Sequence, residues 1–239
     1  MATGCGPGRP PPPERWGWCC DAAAVHRGGR RQPLTRPIDL AGFEAKFLAD
    51  PDPWRTHTDR REAVKRSAIL HALGHRTWGR VLELGSGNGS NSHALARRAL
   101  RLDACEGTAS GAALTRRALH GTGRARAHRL ELPGRFPLSR YDAVVIAELL
   151  YYLDERRMRR LARDVARALR PGGRLVLAHH HIRFDDAAQP PPGVHHRFLR
   201  ASGLRWHRRH HHRTGHWTVE AVGRALPPEC GAGPVSRRR

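Results

Sequence analysis

Apolar and polar residues follow two alternating spacings along the central part of the chain. Beyond Gly79, short continuous apolar runs are separated by longer stretches in which apolar residues recur every three or four positions. The short runs predict strands, and the three-to-four spacing predicts helices. The predicted strands are 80–84, 101–106, 125–130, 141–146 and 174–179, and the predicted helices are 90–99, 109–119 and 155–169. This order predicts an α/β fold, with a mostly parallel sheet and helices on both faces.

Further elements flank this alternation on both sides. A short helix is predicted at 43–48, where the prolines of Asp50-Pro51-Asp52-Pro53-Trp54 must end it, and a second helix at 60–73. A helix near 192–201 and a polar strand from about Leu204 follow the alternation. A last strand at 216–222 is expected to close the sheet in the antiparallel direction.

The two ends of the chain differ from this pattern. Residues 1–38 carry Pro-rich and Arg/Gly-rich patches without periodicity, and residues 226–239 are again basic. A length of 239 residues has room for one ordinary α/β domain. We therefore predict one domain at 39–225 between two disordered tails.

A run of alternating glycines separates the first strand from the following helix. Gly85, Gly87 and Gly89 let the backbone turn tightly and approach a ligand, and the amides at the start of the helix face that ligand. Such a turn alone is often only a tight connection. Glu106, however, lies 21 positions after Gly85, about where a doubly wound fold places the carboxylate that binds a ribose diol. Together these residues predict a nucleotide-type cofactor.

The spacing of the glycines distinguishes between cofactors. A dinucleotide fingerprint has glycine at its first, third and sixth positions, but the sixth position here is Ser90. With Glu83 in front, the string E-x-G-x-G-x-G resembles the first motif of class I S-adenosylmethionine-dependent methyltransferases. The resemblance implies S-adenosyl-L-methionine as cofactor and a Rossmann-like seven-stranded methyltransferase fold. It implies cofactor-binding residues in this segment at Glu83, Gly85, Ser86, Gly87 and Gly89.

Other candidates follow the predicted strands, because open α/β sheets bind ligands beyond the carboxyl ends of their strands. By the same resemblance, Glu106 would hold the ribose, Glu131 and Leu132 would lie beside the adenine, and Ala147 would line the cofactor site. Glu131 could equally be a solvated loop carboxylate.

A narrower resemblance rests on several motifs between residues 43 and 223. They are Phe43-Glu44, Asp52-Pro53-Trp54, Glu62, Lys65, Tyr141-Asp142, Glu148 through Leu153, Pro171-Gly172-Gly173 and the string that ends at His179. Together they resemble methyltransferases of the nodulation protein S type. The resemblance implies that segment 43–73 forms a lid whose Trp54 covers the cofactor, and that Lys65 pairs with the methionine carboxylate. The alternatives are a solvent-facing charge for Lys65 and a core contact for Trp54.

The resemblance further implies a small-molecule methyl acceptor, with an amine of an amino sugar or oligosaccharide as our prediction. Methyl transfer requires alignment of donor and acceptor, and an amine acceptor must lose a proton. The candidate catalytic residues are His179 and Glu148 as proton acceptors, with Tyr151 and Tyr152 as pocket walls. Glu148 could instead be a structural hydrogen-bonding residue, and the two tyrosines could pack in the core.

The net charge of +22 raises the alternative of an RNA methyltransferase. Of the 43 basic residues, however, only Lys46 and Lys65 are lysines, and the arginines are spread along the chain. This spread argues against specific nucleic-acid binding. A non-catalytic methyltransferase-like binding module is a third interpretation.

The sequence does not indicate a metal-binding protein, a disulfide-linked protein or a membrane protein. Successive histidines of a strand, as in His179-His180-His181, point to opposite faces, so we predict no metal site. The five cysteines are scattered and odd in number, which argues against a disulfide framework. No apolar stretch approaches the about 20 residues that span a bilayer, and the N-terminus lacks the apolar region of a signal peptide. We therefore expect a cytoplasmic protein without a membrane partner.

Overall fold

The computed structural model describes residues 37–182 and 185–225. The predicted tails lie outside the described residues, except for positions 37 and 38. The helices are α1 (Leu40–Ala49), α2 (Arg60–Leu73), α3 (Ser90–Ala96), α4 (Ala109–Ala118), α5 (Glu155–Ala168) and α6 (Val194–Ala201). The strands are β1 (Trp78–Leu84), β2 (Ala99–Glu106), β3 (Ala125–Arg129), β4 (Tyr141–Ala147), β5 (Leu169–His180), β6 (Trp206–Arg213) and β7 (Trp217–Arg224). Within these ranges, no helix has the length and apolarity needed to cross a membrane.

The strands form one seven-stranded sheet in the order β3-β2-β1-β4-β5-β7-β6. The pairs among β1 to β5 are parallel, whereas β7 runs antiparallel to both β5 and β6. The predicted fold, mostly parallel with an antiparallel last strand, is confirmed. Strand β6 forms one outer edge, and most of its side chains are exposed.

Helices cover both faces of the central strands. On one face, Leu82, Val144 and Leu175 pack in an apolar cluster with residues of α5 and α6. On the other face, Val81, Val145 and Val176 belong to a second cluster with residues of α2 and α3. Full burial of one such aliphatic side chain contributes about 1.5–3 kcal/mol. Apolar residues recur along α5 with the helical period, so one side of this helix packs into the first cluster. The buried residues on that side include Met158, Leu161, Ala162 and Val165.

Side-chain caps explain where most helices begin. Asp59 accepts a hydrogen bond from the Arg61 amide, so α2 begins at Arg60 as predicted. Asp39 caps α1 in the same way, which places its start at Leu40 rather than at the predicted Phe43. Helix α3 ends at Ala96, three residues before the predicted end, because β2 already begins at Ala99.

Two local features differ from the sequence prediction. Strand β5 begins at Leu169, and the predicted Pro171-Gly172-Gly173 turn is an irregularity inside it, where the pairing with β4 shifts register. A short 3-10 helix at Leu150–Tyr152 follows β4 and was not predicted. It is three residues long, too short to produce a periodic signal.

Gly89 shows how tightly the glycine run packs against α4. Its φ is +84°, and a Cβ there would lie 2.7 Å from Cβ of Ala118 and 2.9 Å from Cα of Thr115. Gly121 has a similar φ of +76°, but a Cβ at that position would meet no atom within 4 Å.

We expect Gly121→Ala to lower the free energy of unfolding by about 1–2 kcal/mol through backbone strain alone. Gly89→Ala should cost about 1–3 kcal/mol more, through overpacking.

Urea unfolding of the two variants beside the parent protein measures this difference. Equal losses of stability would show that the contacts around Gly89 relax without cost.

Candidate functional site

The glycine run forms a loop between β1 and α3 at the carboxyl end of the sheet. Gly85, Gly87 and Gly89 have φ values of +74°, +57° and +84°, the left-handed region in which a side chain is strained. The amides of Gly85 and Ser86 donate to the carbonyl oxygen of Cys105, at 2.9 and 3.0 Å. Alternation of glycines is therefore a backbone requirement of this loop.

Glu106 faces the glycine loop, as its spacing predicted. Its Oε2 accepts a hydrogen bond from the Gly87 amide at 3.0 Å, and its Oε1 accepts from the amide and the hydroxyl of Thr108 at 3.0 and 2.9 Å. The residue is 9% exposed. Three donors thus hold the carboxylate at the edge of the loop.

Glu83 and Ser86 lie beneath the loop and are also buried. The Ser92 hydroxyl donates to Oε2 of Glu83 at 2.5 Å. Burial, opposed by this hydrogen bond and reinforced by the charge of Glu106, raises the pKa of Glu83 to about 8. The Ser86 hydroxyl lies 3.0 Å from that of Thr115, which donates to the Gly87 carbonyl oxygen at 2.8 Å. These contacts hold the loop from below.

The segment that precedes β1 packs against the glycine loop. Asn88, inside the loop, donates to Oδ1 of Asp52 at 2.8 Å and to the hydroxyl of Thr56 at 2.8 Å. A Cβ on Gly87 would lie 3.7 Å from Cζ of Phe47, so the α1 side chain reaches the loop. The predicted lid segment is therefore adjacent to the loop, and its function as a lid stays a prediction.

Trp54 packs in an aromatic group formed with α1. Its ring centroid lies 5.4 Å from that of Phe47 and 6.1 Å from that of Phe43. The residue is nevertheless 39% exposed. It therefore lies at the surface of the domain, beside α1.

Lys65 occupies a buried position among acidic and imidazole groups. Its ammonium donates to Oε1 of Glu62 at 2.8 Å, to Oε1 of Glu148 at 2.7 Å and to Nε2 of His180 at 3.1 Å. Burial opposes the charged form, but the charges of Glu148 and Glu62 outweigh it and raise the pKa of Lys65. The alternative of a solvent-facing charge is wrong, because the side chain is only 4% exposed. That Lys65 binds a cofactor carboxylate stays a prediction, and here all three ammonium protons have partners in the protein.

Glu148 is the first residue after β4 and carries a strained backbone, with φ of +51°. Its Oε2 accepts from the His180 amide at 3.1 Å and from the hydroxyl of Tyr151. Although burial alone would raise it, the pKa of Glu148 is lowered to about 2, mainly by the charge of Lys65. The carboxylate is therefore ionised at any physiological pH.

Tyr151 and Tyr152 stand next to this carboxylate on the 3-10 helix. Their ring centroids are 4.6 Å apart, and the ring of Tyr152 meets that of Phe43 edge-on at 4.8 Å. Tyr151 is buried and Tyr152 is half-buried. Burial raises the pKa of both hydroxyls, so both are neutral at physiological pH.

His179 lies beneath the same 3-10 helix and is 2% exposed. Its Nε2 accepts from the amides of Leu149 and Leu150, at 3.3 and 3.1 Å, and its Nδ1 lies 3.0 Å from Nε2 of His195. Burial, followed by the neighbouring His195, lowers the pKa of His179 well below its usual range. Both ring nitrogens are engaged, and the predicted role as proton acceptor stays a prediction.

The remaining candidates lie at the carboxyl ends of β3 and β4. Ala147 and Leu132 are 7% and 8% exposed. The side chain of Glu131 is 58% exposed and lies 3.5 Å from Arg157, which fits the interpretation of a solvated loop carboxylate. A cleft of about 460 Å³ adjoins it, and its lining comprises Glu131, Leu132, Pro133, Asp154, Arg156, Arg157 and Arg160.

Several residues of the site were not found from the sequence. Asn88 carries a local signal, since it is a polar residue between two glycines of the loop. Glu62 was noted only as part of a motif, and Thr115 and His195 carry no local signal. Among the described residues, no group of three or more His, Cys, Asp or Glu side chains is placed to hold a metal ion.

Comparisons with known proteins agree with this geometry. Residues 82–175 match a family described as a methyltransferase domain. A structure of a candidate methyltransferase from Pseudomonas syringae shares 27% identity, covers 70% of this chain and 100% of that chain, and has a TM-score of 0.59. No curated protein sequence matches the chain.

Two further solved structures show the same fold at 18% identity. The N-methyltransferase NodS from Bradyrhizobium japonicum covers 77% of this chain and 97% of its own, with a TM-score of 0.67. An O-methyltransferase family protein from Burkholderia thailandensis covers 80% of this chain and 64% of its own, with a TM-score of 0.62. The region matched by the family contains the glycine loop, Glu106, β4 and the first part of β5. The chain therefore contains a methyltransferase domain.

The raised pKa of Glu83 predicts a pH dependence of stability. The unfolded chain ionises this carboxyl near its ordinary pKa of 4.5, whereas the folded protein keeps it protonated up to about pH 8. The folded state binds more protons between these values, so this group lowers the free energy of unfolding as pH rises from about 4.5 to about 8. The slope is at most about 1.4 kcal/mol per pH unit.

Glu83→Gln should reduce this slope, because the amide keeps a neutral group of similar shape. Urea unfolding across that pH range measures it, with the exposed Glu155→Gln as matched control. Parallel pH profiles for the parent protein and Glu83→Gln would contradict the assignment.

Proposed function

We propose that this S-adenosylmethionine-dependent methyltransferase transfers the methyl group to an amine of a small molecule. The observation that carries the proposal is the charge of a cluster that joins two side chains of α2 to the residue after β4. Two carboxylates, Glu62 and Glu148, surround the single ammonium of Lys65. The surplus of one negative charge favours a cationic acceptor over a neutral or anionic one.

The exposure of these side chains supports the same conclusion. Glu148 is 26% exposed, whereas Lys65 beside it is 4% exposed. Of the two side chains, Glu148 is therefore the more accessible to an incoming molecule. The aromatic rings of Tyr151 and Tyr152 adjoin the carboxylate and would form the walls of the acceptor pocket.

The residues around the glycine loop fit the cofactor. The left-handed loop leaves its backbone open to a ligand, and Glu106 is fixed at its edge as a ribose-binding carboxylate would be. Glu83, Gly85, Ser86, Gly87 and Gly89 would enclose the methionine side, with Leu132, Glu131 and Ala147 toward the adenine. The NodS structure, which has the same fold, contains S-adenosyl-L-homocysteine. The cofactor supplies an electrophilic methyl group bound to a sulfonium.

The bound ammonium would first lose a proton to solvent, and the neutral nitrogen would then attack the methyl carbon with its lone pair while the carbon–sulfur bond breaks and the thioether leaves. The protein's tasks are alignment and exclusion of water. With a pKa of about 2, Glu148 is a weak proton acceptor. We assign it to hydrogen bonding with the acceptor's N–H groups, which orients the lone pair toward the methyl group. The methylated nitrogen would then carry the positive charge that the sulfonium loses.

The amine of an amino sugar or oligosaccharide is the acceptor that we favour. The support is the set of nodulation-type motifs. Asp52, in the motif Asp52-Pro53-Trp54, accepts a hydrogen bond from Asn88 of the glycine loop, and the motif Glu148 through Leu153 contains the carboxylate and both tyrosines.

Cofactor binding is the first test. Calorimetric titration with S-adenosyl-L-homocysteine should show binding by the parent protein. Glu106→Ala should weaken the affinity about 10- to 100-fold, since it removes a hydrogen bond to a charged group. Glu155→Ala, which removes an exposed carboxylate at the start of α5, serves as the control and should leave the affinity unchanged. A folded protein that fails to bind would refute the cofactor assignment.

The acceptor is tested with labelled S-adenosyl-L-methionine and a panel of amines, amino sugars, alcohols and RNA. We expect turnover of amines, and we expect Glu148→Gln to lower kcat/KM for them about 10- to 100-fold through loss of its charge. Glu155→Gln is the matched control. Methylation of RNA or of hydroxyl groups alone would overturn the proposal, and cofactor binding without turnover of any acceptor would favour a non-catalytic module.

A further inference from the structure

We propose that His179 is a positioning residue whose neutral imidazole fixes the start of the 3-10 helix that carries Tyr151 and Tyr152, with its tautomer set by His195 and Glu220. This inference rests on the proposed function, because the helix borders the proposed acceptor site. It also makes a structural claim that can be tested without turnover.

The backbone amides that follow β4 need a hydrogen-bond acceptor. The chain leaves the strand through the strained Glu148, Leu149 caps the 3-10 helix, and Leu150 is its first residue. Amides at the start of a helix have no carbonyl partner within it. Nε2 of His179 accepts from both of them, at 3.3 and 3.1 Å. One imidazole nitrogen thus satisfies two donors, the partly buried amide of Leu149 and the buried amide of Leu150.

The hydrogen bonds define the tautomer of each ring. Because Nε2 of His179 accepts, its proton lies on Nδ1, which donates to Nε2 of His195 at 3.0 Å. The proton of His195 therefore lies on its Nδ1, which faces Oε2 of Glu220 at 3.4 Å. Oε1 of Glu220 accepts from Nε of Arg208 at 3.2 Å. With neutral rings, this is the arrangement in which every contact pairs a donor with an acceptor.

The side chains in this hydrogen-bonded series come from four different helices and strands. His179 belongs to β5, His195 to α6, Glu220 to β7 and Arg208 to β6. His179, His195 and Glu220 are each at most 9% exposed. The path therefore connects the proposed acceptor site to the outer edge of the sheet through the protein interior.

Protonation of His179 would reverse the role of Nε2. A protonated ring presents an N–H group to two N–H donors, so both hydrogen bonds are lost. The charged and titratable groups that face the ring are His195 from α6, Glu148 after β4, Lys65 from α2 and the adjacent His180; the Tyr151 ring packs against it at 5.6 Å. Burial and His195 oppose the charged ring, and Glu148 favours it. The neutral form of His179 therefore dominates until the pH of the solution is well below the usual histidine pKa.

A glutamine at position 179 separates positioning from proton transfer. Its amide oxygen can accept the two backbone amides, but the side chain does not titrate. We expect kcat/KM of the parent protein to decline in acid, and we expect His179→Gln to lose this decline while keeping kcat/KM for the acceptor within about threefold at neutral pH. His179→Ala should lower kcat/KM at least about tenfold while the affinity for S-adenosyl-L-homocysteine changes little.

Glu220→Gln gives a second readout and does not remove the imidazole. Its amide can still accept from His195, but the loss of a negative charge disfavours a protonated ring. The acid decline of kcat/KM should therefore shift to lower pH. If His179→Ala does not fold, this variant and His179→Gln carry the test.

Nitrogen-15 chemical shifts of the imidazole report the tautomer independently of activity. We expect a protonated Nδ1 and an unprotonated Nε2 for His179 at neutral pH. The opposite tautomer would overturn the inference even if the enzyme is active.

An inactive His179→Gln that still binds S-adenosyl-L-homocysteine would instead make the ring a catalytic residue, and an unchanged acid decline in this variant would assign the titration to another group. If the predicted tautomer is found but the parent protein methylates no acceptor, the proposed function fails while the positioning of the backbone stands.

Discussion

Burial of both faces of the central strands is the constraint on which the rest of the structure depends. Because β1, β4 and β5 lie between two layers of helices, polar side chains within them must find partners inside the protein. The neighbouring β2 shows the same demand: Asp103, fully buried, accepts from His128 and Tyr141 and pairs with Arg101. Polar groups that a ligand can reach are therefore expected at the ends of the strands, where the loops leave the core. The glycine loop, Glu106 and Glu148 all lie at this end.

Electrostatics then determine what these strand ends can do. Burial of an ammonium costs several kcal/mol unless partners replace its water. Lys65 has three such partners, and Glu148 receives hydrogen bonds from Lys65, Tyr151 and His180. The groups hold one another in place, so the partly exposed carboxylate is ionised and fixed in orientation before any molecule binds. Preorganised charge of this kind stabilises a bound cation more than a mobile side chain would.

The sequence predicted the features that local patterns encode. Apolar spacing predicted the strands, helices and sheet type, and the distance from Gly85 to Glu106 predicted that the two would meet at adjacent strand ends. The hydrogen-bonding partners of Lys65 and His179 could not be predicted, because Glu148 is 83 residues from Lys65 and His195 belongs to another element than His179. Such contacts depend on how elements pack and leave no periodic signal. The irregularity at Pro171-Gly172-Gly173 was missed for a related reason: the same residues are typical of turns and of bulges.

The composition of β6 has a consequence for the behaviour of the protein in solution. An edge strand exposes unpaired backbone groups to which a second copy can add its own strand. Seven of the eight residues in Trp206–Arg213 are arginine or histidine, and the pairing with β7 is irregular between Arg208 and His210. Two such edges would bring the positive charges of Arg208, Arg209 and Arg213 in each copy close together, and the irregularity disturbs the straight ladder that pairing requires. The basic edge therefore opposes aggregation through strand addition, and added salt, which screens these charges, weakens that protection.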